Sequence, residues 1–262
     1  MQEITIIKIG GETLNDPPAL DRCLDAVAAA TGPVILVHGG GRKVTELAGA
    51  LGIEQQMIDG RRITSPETLE LCVMVYAGLI NKSIVAALSA RGRRAVGLTG
   101  ADMGCIRAMR RKAGDVDFGM VGDIERVDTE VLAGFLDRGV VPVICSITLG
   151  QQDELLNTNA DTMAASIATA FASDHAVRLA YCFAHNGVLR DIADPQSVIS
   201  AITPDDLDKL RTNGIIGGGM VPKLHTAVQA VRQGVNEVRI LHSDALREFL
   251  GHLPAGTVIH QP

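Results

Sequence analysis

Short apolar runs alternate with helical repeats along the chain. The segment Ile4–Ile9 is apolar and β-branched apart from one lysine, and Val34–Val37, Val140–Ile144 and Val177–Phe183 are similar runs. Between them apolar residues recur at helical spacing, most extensively from Pro66 to about Arg91. Such alternation is typical of βαβ units. The pattern predicts an α/β protein, a three-layer αβα sandwich with a mainly parallel central sheet.

The pattern also predicts how the chain is divided. A polar stretch from Ile106 to Val127 has turn signals near Gly114 and Gly119 and reads as a hairpin insertion. No internal repeat, low-complexity tract or long linker interrupts the alternation. We therefore expect two lobes that share one sheet, an N-terminal lobe over residues 1–170 and a C-terminal lobe over residues 171–262.

Composition narrows the possible partners. The 262 residues are 47% hydrophobic but only 3% aromatic, which suits strands packed on both faces by aliphatic side chains. A net charge of −6 gives no general attraction for nucleic acid or an anionic membrane. Five widely spaced cysteines read as reduced thiols. With no basic leader before Glu3 and no apolar run of membrane length, we expect a cytoplasmic protein with small-molecule ligands.

Glycine-rich turns follow apolar runs at three places. Lys8 precedes Gly10-Gly11, the second apolar run ends in Gly39–Gly41, and Gly217–Gly219 precedes Lys223. Glycines at a strand end that leads into a helix let backbone N–H groups approach an anion closely. A lysine inside a buried strand needs an anion nearby. An edge strand with a snorkelling lysine is the alternative for this first segment.

Other polar residues stand at the starts of predicted helices. Arg62 precedes the long helix, and Asn157 and Asp161 stand at the start of another. Together with two lysines and three glycine turns, they suit phosphoryl transfer, which needs charge stabilisation and in-line positioning. Helix capping is the alternative role for Asn157 and Asp161. The sequence contains no P-loop, no strand followed by G-x-G-x-x-G, no H-E-x-x-H and no G-x-S-x-G.

The order of these motifs resembles that of the amino acid kinase family, and within it the branch that phosphorylates N-acylated glutamate. The resemblance covers nearly the full chain. In chain order the motifs are K-x-G-G at Lys8, H-G-G-G at His38, R-x-T at Arg62, N-K at Asn81-Lys82, G-D at Gly122-Asp123, N-x-N-A-D at Asn157 and G-G-M-x-P-K at Gly218.

The resemblance implies an ATP-dependent kinase that converts the γ-carboxylate of N-acetyl-L-glutamate to an acyl phosphate in arginine biosynthesis. It implies that Lys8 and Lys223 stabilise the transferring phosphoryl group and that Asp161 holds both lysines. Mg²⁺ is expected on the nucleotide phosphates and water, without a metal site made by the protein. The remaining site residues fall in two sets, Gly40, Gly41, Arg62 and Asn157 for the acylated amino acid and Gly10, Gly11, Gly218 and Gly219 for the nucleotide.

The chain departs from the common pattern of the family at two places. Phe183 and Ala184 stand where many relatives have threonine and aspartate, which leaves adenine and ribose recognition open. Arg42 and Lys43 follow the second glycine turn, where extra positive charge would suit an N-succinyl in place of an N-acetyl group. His185 and His38 are not expected to transfer protons, because the acceptor is already a carboxylate.

The resemblance also implies an assembly. The N-terminal lobe would bind the acyl-glutamate and form the dimer contact through the helix from Pro66 to about Arg91, whereas the C-terminal lobe would bind ATP. Arginine-inhibited relatives form hexamers through an extra N-terminal helix, and the first strand here begins at about Ile4. An arginine-insensitive homodimer is therefore expected. Two alternatives are another kinase of the family, for carbamate, aspartate or uridylate, and a catalytically silent amino-acid sensor.

Overall fold

The structure, a computed structural model, describes residues 3–58, 61–212, 214–216 and 220–261. Strands and helices alternate through most of these ranges, as predicted. The strands are β1 (Glu3–Ile9), β2 (Val34–His38), β3 (Met57–Ile58), β4 (Arg61–Arg62), β5 (Ala95–Leu98), β6 (Ile106–Arg110), β7 (Gly122–Val127), β8 (Val141–Cys145), β9 (Ile147–Leu149), β10 (Leu155–Asn157), β11 (Ala176–Phe183), β12 (Ala201–Ile202), β13 (Glu237–His242) and β14 (Thr257–Ile259).

The α-helices connect these strands. They are α1 (Gly11–Leu14), α2 (Pro17–Ala29), α3 (Gly41–Ala50), α4 (Pro66–Val73), α5 (Asn81–Ala90), α6 (Thr129–Leu136), α7 (Ala160–Phe171), α8 (Asp206–Thr212), α9 (Met220–Arg232) and α10 (Leu246–Leu250). A π-helical segment, Met74–Ile80, joins α4 to α5, and short 3₁₀ turns cover Asp102–Gly104 and Ser243–Ala245.

The chain divides into two compact units, residues 1–35 with 164–262 and residues 36–163. The expected lobes were residues 1–170 and 171–262, which grouped the first 35 residues with the middle of the chain and not with its C-terminal part. β1 pairs in parallel with β11 from Glu3↔Ala176 to Ile9↔Cys182, so the first strand belongs with the C-terminal residues. Lys8, Gly10 and Gly11 therefore lie in the same unit as Lys223.

In the first unit, strands run in the order β12-β14-β13-β11-β1. The β1–β11 and β11–β13 pairs are parallel, whereas β13 and β14 are antiparallel. The isoleucines of β1 are almost fully buried, as expected for a strand covered on both faces. The buried Arg178 guanidinium on β11 packs over the Phe249 ring, 4.1 Å from its centre, and donates from Nη2 to the Phe249 carbonyl at 2.8 Å.

In the second unit, β8 lies between β2 and β5, with both pairs parallel. A separate four-stranded sheet has the order β10-β9-β6-β7. Its β6 and β7 are antiparallel from Ile106↔Val127 to Arg110↔Gly122, which confirms the predicted hairpin insertion. The hairpin formed by β9 and β10 has no counterpart in the sequence prediction. The mainly parallel α/β architecture is as predicted.

The long helical segment runs from Pro66 to Ala90 and is π-helical in its middle. By length and mean hydropathy alone it could cross a membrane, a test that the core helix of a globular protein also passes. Glu67, Glu70 and Lys82 interrupt the segment, so it is not the uninterrupted apolar run that the sequence was searched for. One side of the segment belongs to the core of the second unit, where Leu69, Cys72, Val75 and Tyr76 are buried.

Candidate active site

Lys8 lies within the sheet of the first unit, and only 7% of the residue is exposed. β11 borders its strand on one side, and on the other the Thr5 amide donates to the Pro33 carbonyl at 3.0 Å. β1 is therefore not an edge strand, and the snorkelling alternative is wrong. Gly10, just beyond the strand, donates to the Cys182 carbonyl at 3.0 Å, and a Cβ at Gly10 would lie 2.7 Å from that oxygen. Only glycine fits this contact.

The Phe183 ring lies close to both candidate catalytic lysines. The Nζ atom of Lys223, in the first turn of α9, is 3.9 Å from the ring centre, and Nζ of Lys8 is 5.3 Å from it. Phe183 ends β11 and is 6% exposed. Tyr181 stacks on it at 6.3 Å between ring centres with an interplanar angle of 11°. The structure thus brings the two lysines to one aromatic side chain.

The second glycine turn packs tightly inside the second unit. Gly40 has a φ of +154°, and a Cβ there would lie 2.3 Å from Cδ1 of Ile80 and 3.0 Å from the Tyr76 ring. Gly41 begins α3, so the backbone N–H groups of the first helical turn follow the glycines directly. The π-helical segment supplies both side chains that press on Gly40. Glycine is required here by conformation and by space.

Arg62 supports the same turn from β4. It is buried, whereas Arg61 is exposed, because neighbouring residues on a strand point to opposite faces. Its Nη2 donates to the Gly41 carbonyl and to Oγ1 of Thr45, both at 2.8 Å, and its Nη1 donates to Oε1 of Gln55. These three acceptors are neutral. A buried guanidinium with neutral acceptors keeps its full charge for an anionic ligand.

Asn157 is tied to the R-x-T motif, since its Nδ2 donates to Oγ1 of Thr64 at 3.0 Å. The next helix is capped by another residue. Oδ1 of Asn159 accepts from the backbone N–H groups of Asp161, at 2.8 Å, and Thr162, at 3.1 Å. Asp161 is 9% exposed on the first turn of α7. The capping alternative for Asn157 and Asp161 is therefore wrong, because Asn159 does this work.

His38 is a buried, neutral support for the glycine turn. Its Nδ1 is 2.9 Å from the Gly39 carbonyl, and its Nε2 is 3.1 Å from Nδ2 of Asn81, which also donates to the Val143 carbonyl. Since a carbonyl only accepts, Nδ1 carries the proton and Nε2 accepts from the amide. Burial lowers the pKa of His38 from 6.5 to about 4. Lys82 continues the network, with its Nζ 3.3 Å from Oδ1 of Asn81.

The two positive side chains that follow the second glycine turn already form ion pairs. Arg42 and Lys43 are largely exposed and both contact Glu46, at 3.4 Å from the Arg42 Nε and 3.2 Å from the Lys43 Nζ. Their positive charge is thus partly offset on the surface of α3. The two predicted nucleotide-site glycines Gly218 and Gly219 lie outside the described residues.

Several residues around these sites were missed by the sequence interpretation. Tyr76 and Ile80 lie within the predicted long helix but were not singled out, and neither were Thr45 and Gln55. Asn81 was recognised as part of an N-K motif without a role. Phe183 was noted only as a departure from a common pattern. A buried polar residue inside an apolar helix, as Asn81 is, was a signal that could have pointed to the His38 network.

The chain belongs to the amino acid kinase family, whose match covers residues 3–242. Together with the relatives described next, this membership identifies an enzyme of the kinase class. It is 47% identical to the acetylglutamate kinase of Bacteroides thetaiotaomicron, over 95% of this chain and 97% of that protein. It is 40% identical to the acetylglutamate kinase of Methanopyrus kandleri, over 94% of this chain and 98% of that protein.

Solved structures share the fold. The protein smu.665 from Streptococcus mutans superposes with a TM-score of 0.80 at 25% identity, covering 99% of each chain. The N-acetylglutamate synthase of Neisseria gonorrhoeae was solved with coenzyme A and N-acetyl-glutamate, and it superposes with a TM-score of 0.82 at 20% identity. The match covers 100% of this chain and 60% of the synthase chain. At that identity the second likeness shows the fold alone.

Proposed function

We propose that this protein is a cytoplasmic acetylglutamate kinase. It transfers the γ-phosphoryl group of ATP to the γ-carboxylate of N-acetyl-L-glutamate and releases N-acetyl-L-glutamyl 5-phosphate and ADP, a step of arginine biosynthesis. The observation that carries the proposal is the identity of 40 to 47% with proteins of that name over nearly the whole chain. The N-succinyl alternative has no comparable support, since Arg42 and Lys43 are exposed and paired with Glu46.

The acceptor is assigned to the second unit. Gly40 and Gly41 offer backbone N–H groups at the start of α3, a favourable place for a carboxylate. Arg62 supplies a buried positive charge beside the same turn. Asn157 carries an amide held by Thr64, and an amide can pair with the N-acetyl amide without adding charge. A site with separate groups for a carboxylate and for an amide supports a ligand that combines carboxylates with a neutral amide.

The phosphoryl donor is assigned to the first unit. Gly10 and Gly11 follow the strand that carries Lys8, and the absence of a Cβ at Gly10 lets the backbone lie against Cys182. Lys8 and Lys223 would stabilise charge on the transferring oxygens, and Asp161, a residue of the second unit, stays a candidate catalytic residue from the sequence. Gly218 and Gly219 remain assigned to the nucleotide from the sequence. No described group of three His, Cys, Asp or Glu side chains could hold a metal. Mg²⁺ would be held by nucleotide phosphates and water, which are the oxygen ligands that this cation usually keeps in kinase sites.

The proposed assembly is a homodimer. Met74 and Leu79 lie on the π-helical segment and are 55% and 54% exposed. The family resemblance places the dimer contact on this helical segment, and a two-fold contact between copies of the segment would cover both side chains. Light scattering should give twice the mass of one chain, and Met74→Glu with Leu79→Glu should give the monomer. A wild-type monomer would contradict the assignment.

Coupled ADP release tests the reaction. The purified protein should release ADP with ATP, Mg²⁺ and N-acetyl-L-glutamate, and much more slowly with N-succinyl-L-glutamate, carbamate or L-aspartate. The Arg42→Ala, Lys43→Ala double variant should lower kcat/KM equally for the acetyl and succinyl substrates, because neither charge is reserved for an extra carboxylate. Turnover with another acceptor alone would identify a different kinase of the family, and no turnover at all would leave the sensor alternative.

A further inference from the structure

We propose that Phe183 is a positioning residue for the two lysines of phosphoryl transfer and holds both ammonium groups by cation–π attraction. The inference rests on the proposed function, since it assigns a role in that reaction. It begins from the placement of one neutral ring beside Lys8 and Lys223, with both Nζ atoms within about 6 Å of its centre, the range of such attraction.

The backbone explains how one ring reaches both lysines. Lys8 stands opposite Tyr181, and Ile9 stands opposite Cys182, in the parallel pair of β1 and β11. Because side chains alternate along a strand, Tyr181 and Phe183 share the face to which Lys8 belongs. Phe183 therefore extends beside Gly10, where a Cβ would lie 3.4 Å from its Cδ1. The ring thus packs against the backbone that follows Lys8.

The ring is held in a defined orientation. Phe183 is almost fully buried, and Tyr181 stacks nearly parallel to it from the same strand. Phenylalanine has two side-chain torsions, so burial and stacking together leave it little freedom. A fixed ring offers a fixed site of negative potential over its face. Two long and flexible lysine side chains can then be oriented before the nucleotide arrives.

The ring acts on both ammonium groups through its quadrupole. Both lysines would carry positive charge and repel each other, and the face of the ring attracts each of them. Since Lys223 is closer, at 3.9 Å against 5.3 Å for Lys8, the effect should be larger on Lys223.

Graded fluorination of Phe183 tests this attraction with little change of shape. Site-specific incorporation of 4-fluoro-, 3,5-difluoro- and 3,4,5-trifluorophenylalanine withdraws electron density from the ring face step by step. We expect log kcat to fall steadily along the series, to about one tenth of the wild-type kcat for the trifluoro ring. KM for ATP and for N-acetyl-L-glutamate should change by less than about twofold.

Phe249 provides a matched control in the same unit. It is also buried and also lies under a cation, Arg178, at 4.1 Å. Phe249→Leu should lower stability as much as Phe183→Leu but leave kcat near the wild-type value. Phe183→Tyr keeps the aromatic face and should retain most of kcat, whereas Phe183→Leu should lose it.

A second readout does not depend on turnover. In the protein without nucleotide, the NMR signal of the Lys223 Cε protons should be displaced upfield by the ring current, and it is assigned by its loss in Lys223→Ala. The displacement should vanish in Phe183→Leu and persist in Phe249→Leu. An undisplaced signal would overturn the inference, because it would mean that the ammonium does not reside over the ring.

The kinetic outcomes separate the possible failures. A wild-type protein without ADP release would overturn the proposed function and this inference with it. An active wild type whose kcat is the same across the fluorinated series would overturn the inference alone and leave Phe183 as a packing residue. A series that changes KM for ATP at constant kcat would also overturn it, since the ring would then contact the nucleotide itself.

Discussion

Replacing His38 by glutamine should remove a large part of the sensitivity of this protein to mild acid. His38 is completely buried, its Nδ1–H donates to the Gly39 carbonyl, and its Nε2 accepts from Asn81. A second proton on Nε2 would face the amide N–H of Asn81 and have no acceptor there. The folded protein therefore resists protonation of this ring, as its pKa of about 4 expresses.

The difference in the pKa of His38 between the folded and unfolded chains sets the sign and size of the change in unfolding free energy with pH. Well above pH 6.5 the ring is neutral in both the folded and unfolded chains and contributes no pH dependence. As the pH falls from 6.5 toward 4, only the unfolded chain takes up the proton, so the free energy of unfolding decreases. With pKa values of 6.5 unfolded and about 4 folded, the loss is about 2 kcal/mol at pH 5 and approaches about 3 kcal/mol near pH 4.

Urea unfolding at pH 8, 7, 6 and 5 measures this term. His38→Gln should be less stable than the wild type at pH 8, and the difference should shrink by about 2 kcal/mol between pH 8 and pH 5. Taking the difference between variant and wild type cancels the other titrating groups. An NMR titration of His38 in the folded protein provides an independent check. A stability difference that stays constant with pH, or a ring that titrates near 6.5, would refute the reasoning.

Three further predictions concern the site. Lys8→Ala and Lys223→Ala should each lower kcat by roughly 100-fold or more with little change in either KM, because their charge acts mainly in the transition state; a pure rise in KM would contradict this. Arg62→Lys should raise KM for N-acetyl-L-glutamate by roughly tenfold or more while KM for ATP stays near normal, since an ammonium cannot replace the planar fork; steady-state kinetics with each substrate varied would expose an equal loss for both. Gly40→Ala should lower the free energy of unfolding by about 1–3 kcal/mol, and a double-mutant cycle with Ile80→Val should recover the part due to their contact; additive effects would mean that the backbone conformation alone is responsible.

The sequence was sufficient for the local structure of this protein. Runs of β-branched residues, helical periodicity and glycine turns predicted the parallel α/β architecture and the hairpin at Ile106–Val127. These features depend on near neighbours in the chain. The position of Lys8 within an apolar strand also pointed to a buried ammonium group, which is costly enough to be rare without a reason.

Long-range pairing could not be predicted in the same way. Periodicity tells which side of an element is buried but not which element covers it, so nothing near Ile4 identified β11 as its partner. The role of Asn159 as helix cap depends on one rotamer, and the contact of Phe183 with the two lysines depends on strand register. The hydrogen bond between Asn81 and His38 likewise joins residues on separate elements.

In both units, positively charged side chains contact neutral groups. Arg62 is surrounded by a backbone carbonyl, a hydroxyl and a side-chain amide, none of which carries charge. The ring of Phe183 orients two ammonium groups and is itself neutral. A neutral partner fixes the geometry of a cation without offsetting its charge, which a bound carboxylate or phosphoryl group can then balance. A site built in this way should bind anions through cations that need little rearrangement, which is the preorganisation that phosphoryl transfer requires.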